Sequence, residues 1–218
     1  MKHDESSSHT KPHTMTVEGK ATVTVTPDQA VITIGVVSEA KNVIDAQQQN
    51  SSVSNQIIQA LNRSGIPSND IKTKQYSVRP VYQYTEGKSI LTGYEVRHLL
   101  EVQVNQLNQI GTILTIATEN GANIIEDITF KTSAPHAAYR KALQLATLDA
   151  IGKAKELAKT LRVQLNETPI KLVERSVHVQ PRPTEKMVLA ATTEAVPIEP
   201  GELTFSAAVE AVFVYTNF

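Results

Sequence analysis

The chain has 218 residues, 40% of them apolar and 20% charged, with a formal net charge of −1 at pH 7. That is the composition of an ordinary soluble globular protein, and near-neutrality gives no global field for nucleic acid or an anionic membrane, so no nucleic-acid partner is expected. There is no cysteine, which excludes disulfides, thiolate nucleophiles, zinc–thiolate sites and peroxide-reducing thiols.

Residues 1–14 are polar and low in complexity and read as a disordered leader without the apolar core of a signal peptide. His3, His9 and His13 lie in or at the end of it without fixed geometry, so no metal site is assigned to them. No apolar run is long enough to span a bilayer as a helix. Thr16 to Val25 alternates, with Val17, Ala21, Val23 and Val25 on one face, the pattern of a half-buried strand. Thr26-Pro27-Asp28 reads as a turn into a second, β-branched strand, Ala30 to Val37, so the two are expected to form a hairpin.

Helical period then sets in from Glu39 to Asn62. Val43, Ala46, Val53, Ile57, Ala60 and Leu61 share a face that Asn50 interrupts, and Gly65 with Ile66-Pro67 ends it. Ile71 to Tyr84 and Ile90 to Val104 are predicted strands joined by a turn at residues 85–88. Tyr76, Val78, Tyr82 and Tyr84 share a face of the first; Tyr94, Val96, His98 and Leu100 share a face of the second. Pro80 places the first strand at an edge or a bulge.

A short helix is expected from Leu107 to Thr118 and a strand from Asn123 to Thr132. The cleanest helical signal follows, Ala137 to Arg162, with Leu143, Ala146, Ala150, Ala154, Leu157, Ala158 and Leu161 on one face. Ser133 or Thr132 is the expected cap and Pro135 the first turn. At about 1.5 Å per residue it is roughly 39 Å long, a scaffold helix for a sheet. Pro169 to Val179 is a further predicted strand, Gln180 to Glu202 a long loop, and Leu203 to Tyr215 a strand apolar on both faces, hence central.

The elements define an α+β fold: antiparallel sheets packed by one long and one medium helix, with a strand–helix–strand–strand unit occurring twice. Residues 15–218 read as one domain of two subdomains, about 15–104 and 122–218, joined by the short helix.

No nucleophile elbow, phosphate loop, dinucleotide fingerprint or HExxH motif is present. The residues assign no catalytic, cofactor-binding or metal-binding side chain, and the chain reads as a non-enzyme. His98, on an apolar strand face, reads as a core or interface histidine; His136 and His178 have no nucleophile or carboxylate at a telling spacing; Asp149 flanks the apolar stripe of the long helix. The loop 180–202 is long for a passive connection and carries an apolar centre, Met187, Val188, Leu189, Ala190 and Ala191. It fits a subunit-contact arm, with a flexible linker as the alternative. Tyr76, Tyr82, Tyr84 and Tyr94 form the one aromatic cluster, either a binding face or simply a sheet face.

Taken together, TVEGKATVTVTPDQAVITIGV at Thr16–Val36, GIPSNDIKT at Gly65–Thr73, YSVRPVYQY at Tyr76–Tyr84, GYEVRHLLEVQV at Gly93–Val104, NGANIIEDITF at Asn120–Phe130, the alanine-rich helix and PIEPGELTFSAAVEAVF at Pro197–Phe213 resemble the SIMPL-domain family of bacterial envelope-associated proteins. In that family a second glycine often stands two residues after the first in the opening strand; here Ala21 holds that place after Gly19. The resemblance implies an α+β fold, an extracytoplasmic setting, large ring-like homo-oligomers in some members and a loose link to envelope or oxidative-stress phenotypes. It implies no catalytic residue and no cofactor. An envelope or peptide partner is the alternative offered by the tyrosine-lined sheet face or an exposed sheet edge.

Overall fold

The structure is a computed structural model that describes residues 12–85, 87–175 and 199–217, and the backbone of 182–184. Along the chain run β1 (His13–Val25), β2 (Gln29–Ala40), α1 (Val43–Arg63), β3 (Ile71–Thr85), β4 (Lys88–Val104), α2 (Ile110–Glu119), β5 (Ile124–Lys131), α3 (Pro135–Leu161), β6 (Gln164–Leu165), β7 (Lys171–Glu174), β8 (Arg182–Thr184) and β9 (Glu202–Thr216). The fold is α+β, with two antiparallel sheets, each in its own compact unit.

One unit contains α1, α2 and a four-stranded sheet in the order β3-β4-β2-β5. β2 is central because both of its faces are apolar: Ala30, Val31, Ile32, Ile34 and Val36 are all buried. α1 begins at Asn42, whose side-chain oxygen accepts from the Asp45 amide at 2.9 Å, and it lays Ile57 and Leu61 against Ile32, Ile34, Val102 and Val104. Burying such side chains fully contributes about 1.5–3 kcal/mol each. Gly65 takes the left-handed conformation expected after the helix, at φ 99°.

The other unit contains α3 and the sheet built on β9, with β1 on one side and β6, β7 and β8 also paired to β9. The central place expected for the last strand is observed. Its two faces differ, however: Leu203, Phe205, Val209 and Phe213 are buried, whereas the alternate positions are only half-buried or exposed.

The expected hairpin of the first two strands is not formed. β1 pairs with β9 in the register Val17↔Ala211, and β2 pairs with β4 and β5. Thr26-Pro27-Asp28 is instead a passage between sheets, fixed by Asp28, whose carboxylate accepts from the Ser133 amide at 2.7 Å and the Ser133 hydroxyl at 2.5 Å. That use of Ser133 also removes it as the cap of α3, which starts at Ala134 without a side-chain cap and with Pro135 in its first turn. The compact units consequently do not follow the cut between residues 104 and 122, since β1 groups with β9 and β5 with β2.

Other boundaries shift as well. The buried line of α3 is Ala138, Ala142, Ala146, Ala150, Ala154 and Ala158, while Leu157 and Leu161, expected inside, are exposed. The strand expected over 169–179 is four residues long among the described residues, and β8 lies within the expected loop.

Candidate interaction surface

The third strand of the first sheet ends before the hairpin beside it does. The last pair between β2 and β4 is Ala40↔Tyr94, yet β3 and β4 continue to pair from Val81↔Gly93 out to Thr85↔Lys88. Beyond Pro80 and Tyr94 the sheet is therefore, among the described residues, a two-stranded ribbon. A bulge interrupts its register between Val81 and Tyr82, where the Thr92 hydroxyl donates to the Val81 carbonyl at 3.0 Å. Gly93 lies at the base of the ribbon because a Cβ there would stand 2.6 Å from the Ala40 carbonyl oxygen.

This ribbon carries large apolar side chains in solvent: Tyr82 is 55% exposed, Tyr84 80%, Ile90 53% and Leu91 46%. Tyr82 and Leu91 are direct cross-strand partners. Two-stranded ribbons are marginal by themselves, and exposed apolar patches mark contact surfaces.

The four tyrosines predicted to cluster are not equivalent. Tyr76, Val78, Pro80, Tyr82 and Tyr84 occupy alternate positions of β3, and Tyr94, opposite Pro80, is half-buried. Tyr76 is held at the edge of α1: its hydroxyl accepts from Gln47 Nε2 at 3.3 Å, and its ring meets His98 edge-on at 5.4 Å. Tyr82 and Tyr84 lie on the ribbon, past the last residue of β2.

His98 belongs to a polar chain through the core. Asn50, wholly buried, donates from Nδ2 to the carbonyls of Val36 at 3.1 Å and Val96 at 3.0 Å. Ser54 donates its hydroxyl proton to Asn50 Oδ1 at 3.3 Å. The Ser54 oxygen is thereby left to accept from His98 Nδ1 at 3.0 Å, and Nε2 accepts from the Thr73 hydroxyl at 3.0 Å. Burial pushes the imidazole pKa down. With Ser54 buried and both ring nitrogens engaged, the arrangement ties helix to sheet. The sequence signal for this network was Asn50 itself, a polar residue on an apolar helical face.

The remaining candidates lie apart. His136 is in the first turn of α3, and His13 stacks on Tyr215 at 5.6 Å within the other sheet. Asp149 accepts from Lys153 at 2.6 Å and from the Lys20 amide at 2.8 Å. Met187, Val188, Leu189, Ala190, Ala191, His178, His3 and His9 lie outside the described residues. Among the described residues no three His, Asp or Glu side chains are grouped to hold a metal ion, and no helix is long and apolar enough to cross a membrane.

The architecture is thus an α+β protein of two antiparallel sheets with an apolar ribbon extending from one of them. The chain belongs to the SIMPL family, described as a protein of unknown function (DUF541), whose model matches residues 15–213. It is 30% identical over 214 residues to the 26 kDa periplasmic immunogenic protein of Brucella melitensis, covering 94% of this chain and 85% of that protein. It is 32% identical over 200 residues to the uncharacterized protein YggE of Escherichia coli K12, covering 91% and 79%. The YggE of Edwardsiella ictaluri is 32% identical over 209 residues, covering 93% and 86%.

Proposed function

We propose that this chain is a non-enzymatic, self-associating extracytoplasmic protein that uses the β3–β4 ribbon as a contact surface. The observation that carries the reading is the set of Tyr82, Tyr84, Ile90 and Leu91, all large, apolar and exposed on two strands with no third strand beside them among the described residues. Covering them in a second copy would contribute roughly 25 cal/mol per Å² of apolar surface removed from water. The extracytoplasmic setting is supported by the periplasmic name of the Brucella relative. A part in stress defence, as the family resemblance implies, would work through contacts rather than thiol chemistry, because the chain has no cysteine.

Light scattering over a roughly hundredfold range of protein concentration tests this. A defined multimer is expected, and Tyr82→Ser with Leu91→Ser, two exposed partners, is expected to lower its mass without unfolding the chain. A multimer unchanged by the pair would remove the ribbon from the interface. A strict monomer would remove self-association and favour the second reading, a peptide-binding module. That reading draws on one observation, that among the described residues β3 is the outer strand of its sheet, with a tyrosine-bearing face beside an edge that no described strand pairs.

A further inference from the structure

The outer edge of β1 is met by side chains from α3. In an extended strand the N–H and C=O of one residue point to the same side and those of the next point to the other. The Lys20 amide donates to Asp149 Oδ2 at 2.8 Å, not to β9, so the even-numbered residues here turn their backbone groups outward. The Glu18 carbonyl, two residues earlier and on the same side, accepts from Lys153 Nζ at 3.0 Å. Asp149 and Lys153 are one helical turn apart and joined at 2.6 Å. Together they offer β1 an acceptor and a donor where a neighbouring strand would offer its own.

The contact depends on close approach. A Cβ at Gly19 would stand 2.0 Å from the Ala146 carbonyl oxygen and 2.7 Å from the Ala150 nitrogen. Glycine between Glu18 and Lys20 lets the helix backbone rest on the strand, which brings the short Asp149 side chain within reach of the edge. The hydrogen bonds from Lys153 and from the Lys20 amide hold the Asp149 carboxyl below the usual carboxylate range.

We infer that Asp149 and Lys153 form an edge seal, a helical surrogate strand that prevents another polypeptide from adding to β1. Unprotected sheet edges are templates for strand addition, and β1, at 13 residues, is long for an edge. The seal sits at its middle and divides the 13-residue edge into two stretches of about five residues each, so no added strand can run its full length. Assembly is thereby directed away from this edge.

The test uses the full chain with Asp149→Ala and Lys153→Ala together, and a fluorescent peptide of sequence TVEGKATVTV, residues 16–25, as probe. The Lys20 amide is expected to exchange at least roughly tenfold faster in the double variant. The peptide should bind the variant saturably, while wild type and a scrambled peptide show no binding. An unchanged Lys20 exchange rate, or fast exchange without peptide binding, would reduce the pair to a packing contact. Should the double variant fail to fold, Lys153→Met frees the Glu18 carbonyl alone. Peptide binding above wild type then supports the seal, and its absence overturns it. None of these outcomes depends on the ribbon, so the two proposals fail separately.

Discussion

Gly19 and Ala146 touch backbone to backbone: the space a Cβ would need at Gly19 is already filled by the Ala146 carbonyl oxygen, 2.0 Å away. The alanine line of α3 is the other half of that fit, since any larger side chain at Ala146 or Ala150 would lift the helix from β1. Gly19→Ala is expected to destabilise by about 3 kcal/mol, the upper range for overpacking a close contact. For a chain of this size that is roughly 6–12 °C in Tm, read by thermal unfolding. A Tm within about 2 °C of wild type would show that the helix can move aside at little cost.

Gly152, on the same helix, gives the opposite expectation. A Cβ there meets nothing within 4 Å, so the residue costs helix propensity without serving a contact in the described structure. Gly152→Ala should stabilise by about 0.5–1 kcal/mol. Chemical denaturation would show a higher midpoint with an unchanged slope. A lower midpoint would mean that something approaches this position in solution.

Asn50 joins α1 to the carbonyls of Val36 and Val96. Asn50→Ala would leave both acceptors and the Ser54 hydroxyl without this partner in a buried setting, at a cost of about 2–3 kcal/mol. Urea unfolding measures it. The loss in Ser54→Ala should be smaller, because it removes the partner of two groups, Asn50 Oδ1 and the Nδ1 of the half-buried His98, rather than of three.

His98 sets a pH dependence whose sign follows from burial. Its folded pKa lies below 6.5, the ordinary value. As pH falls below 6.5 the unfolded chain binds this proton while the folded chain does not, so stability falls. Above 6.5 both states are neutral and the contribution is constant. Between pH 7 and 5 the stability of wild type should decline relative to His98→Gln, by at most about 1.4 kcal/mol per pH unit. Parallel curves would show that the imidazole titrates alike in both states.

Much of the fold was legible because it is written locally. The end of α1 is punctuated by Gly65, and β3, β4 and the alanine helix show their own periods. The start of α1, expected at Glu39, lies instead after Asn42, because Glu39 and Ala40 still belong to β2. What periodicity cannot express is pairing over distance: nothing near residues 16–25 says that their partner is 203–215 rather than the next strand. Nor can periodicity say which of two adjoining helical stripes meets the sheet, which is why Leu157 and Leu161 looked buried beside the alanine line. It also cannot say where a sheet stops, which is why the tyrosines could not be divided into Tyr76, beside α1, and Tyr82 and Tyr84, on the ribbon. Asn50 was visible as an interruption, but its partners Ser54 and His98 required the packing of helix on sheet.

The pairing of β1 with β9 also orders events in time. Thr22 and Ser206, neighbours across that ladder, are 184 positions apart, whereas β2 through β5 and their two helices form one contiguous stretch. On a ribosome, or emerging from a translocation pore, the four-stranded sheet can close while β9 has yet to appear, and β1 must wait through that interval without its ladder partner. Of the strands described, the first in sequence is thus among the last to find its place, and this window is where a chaperone would have the most to hold.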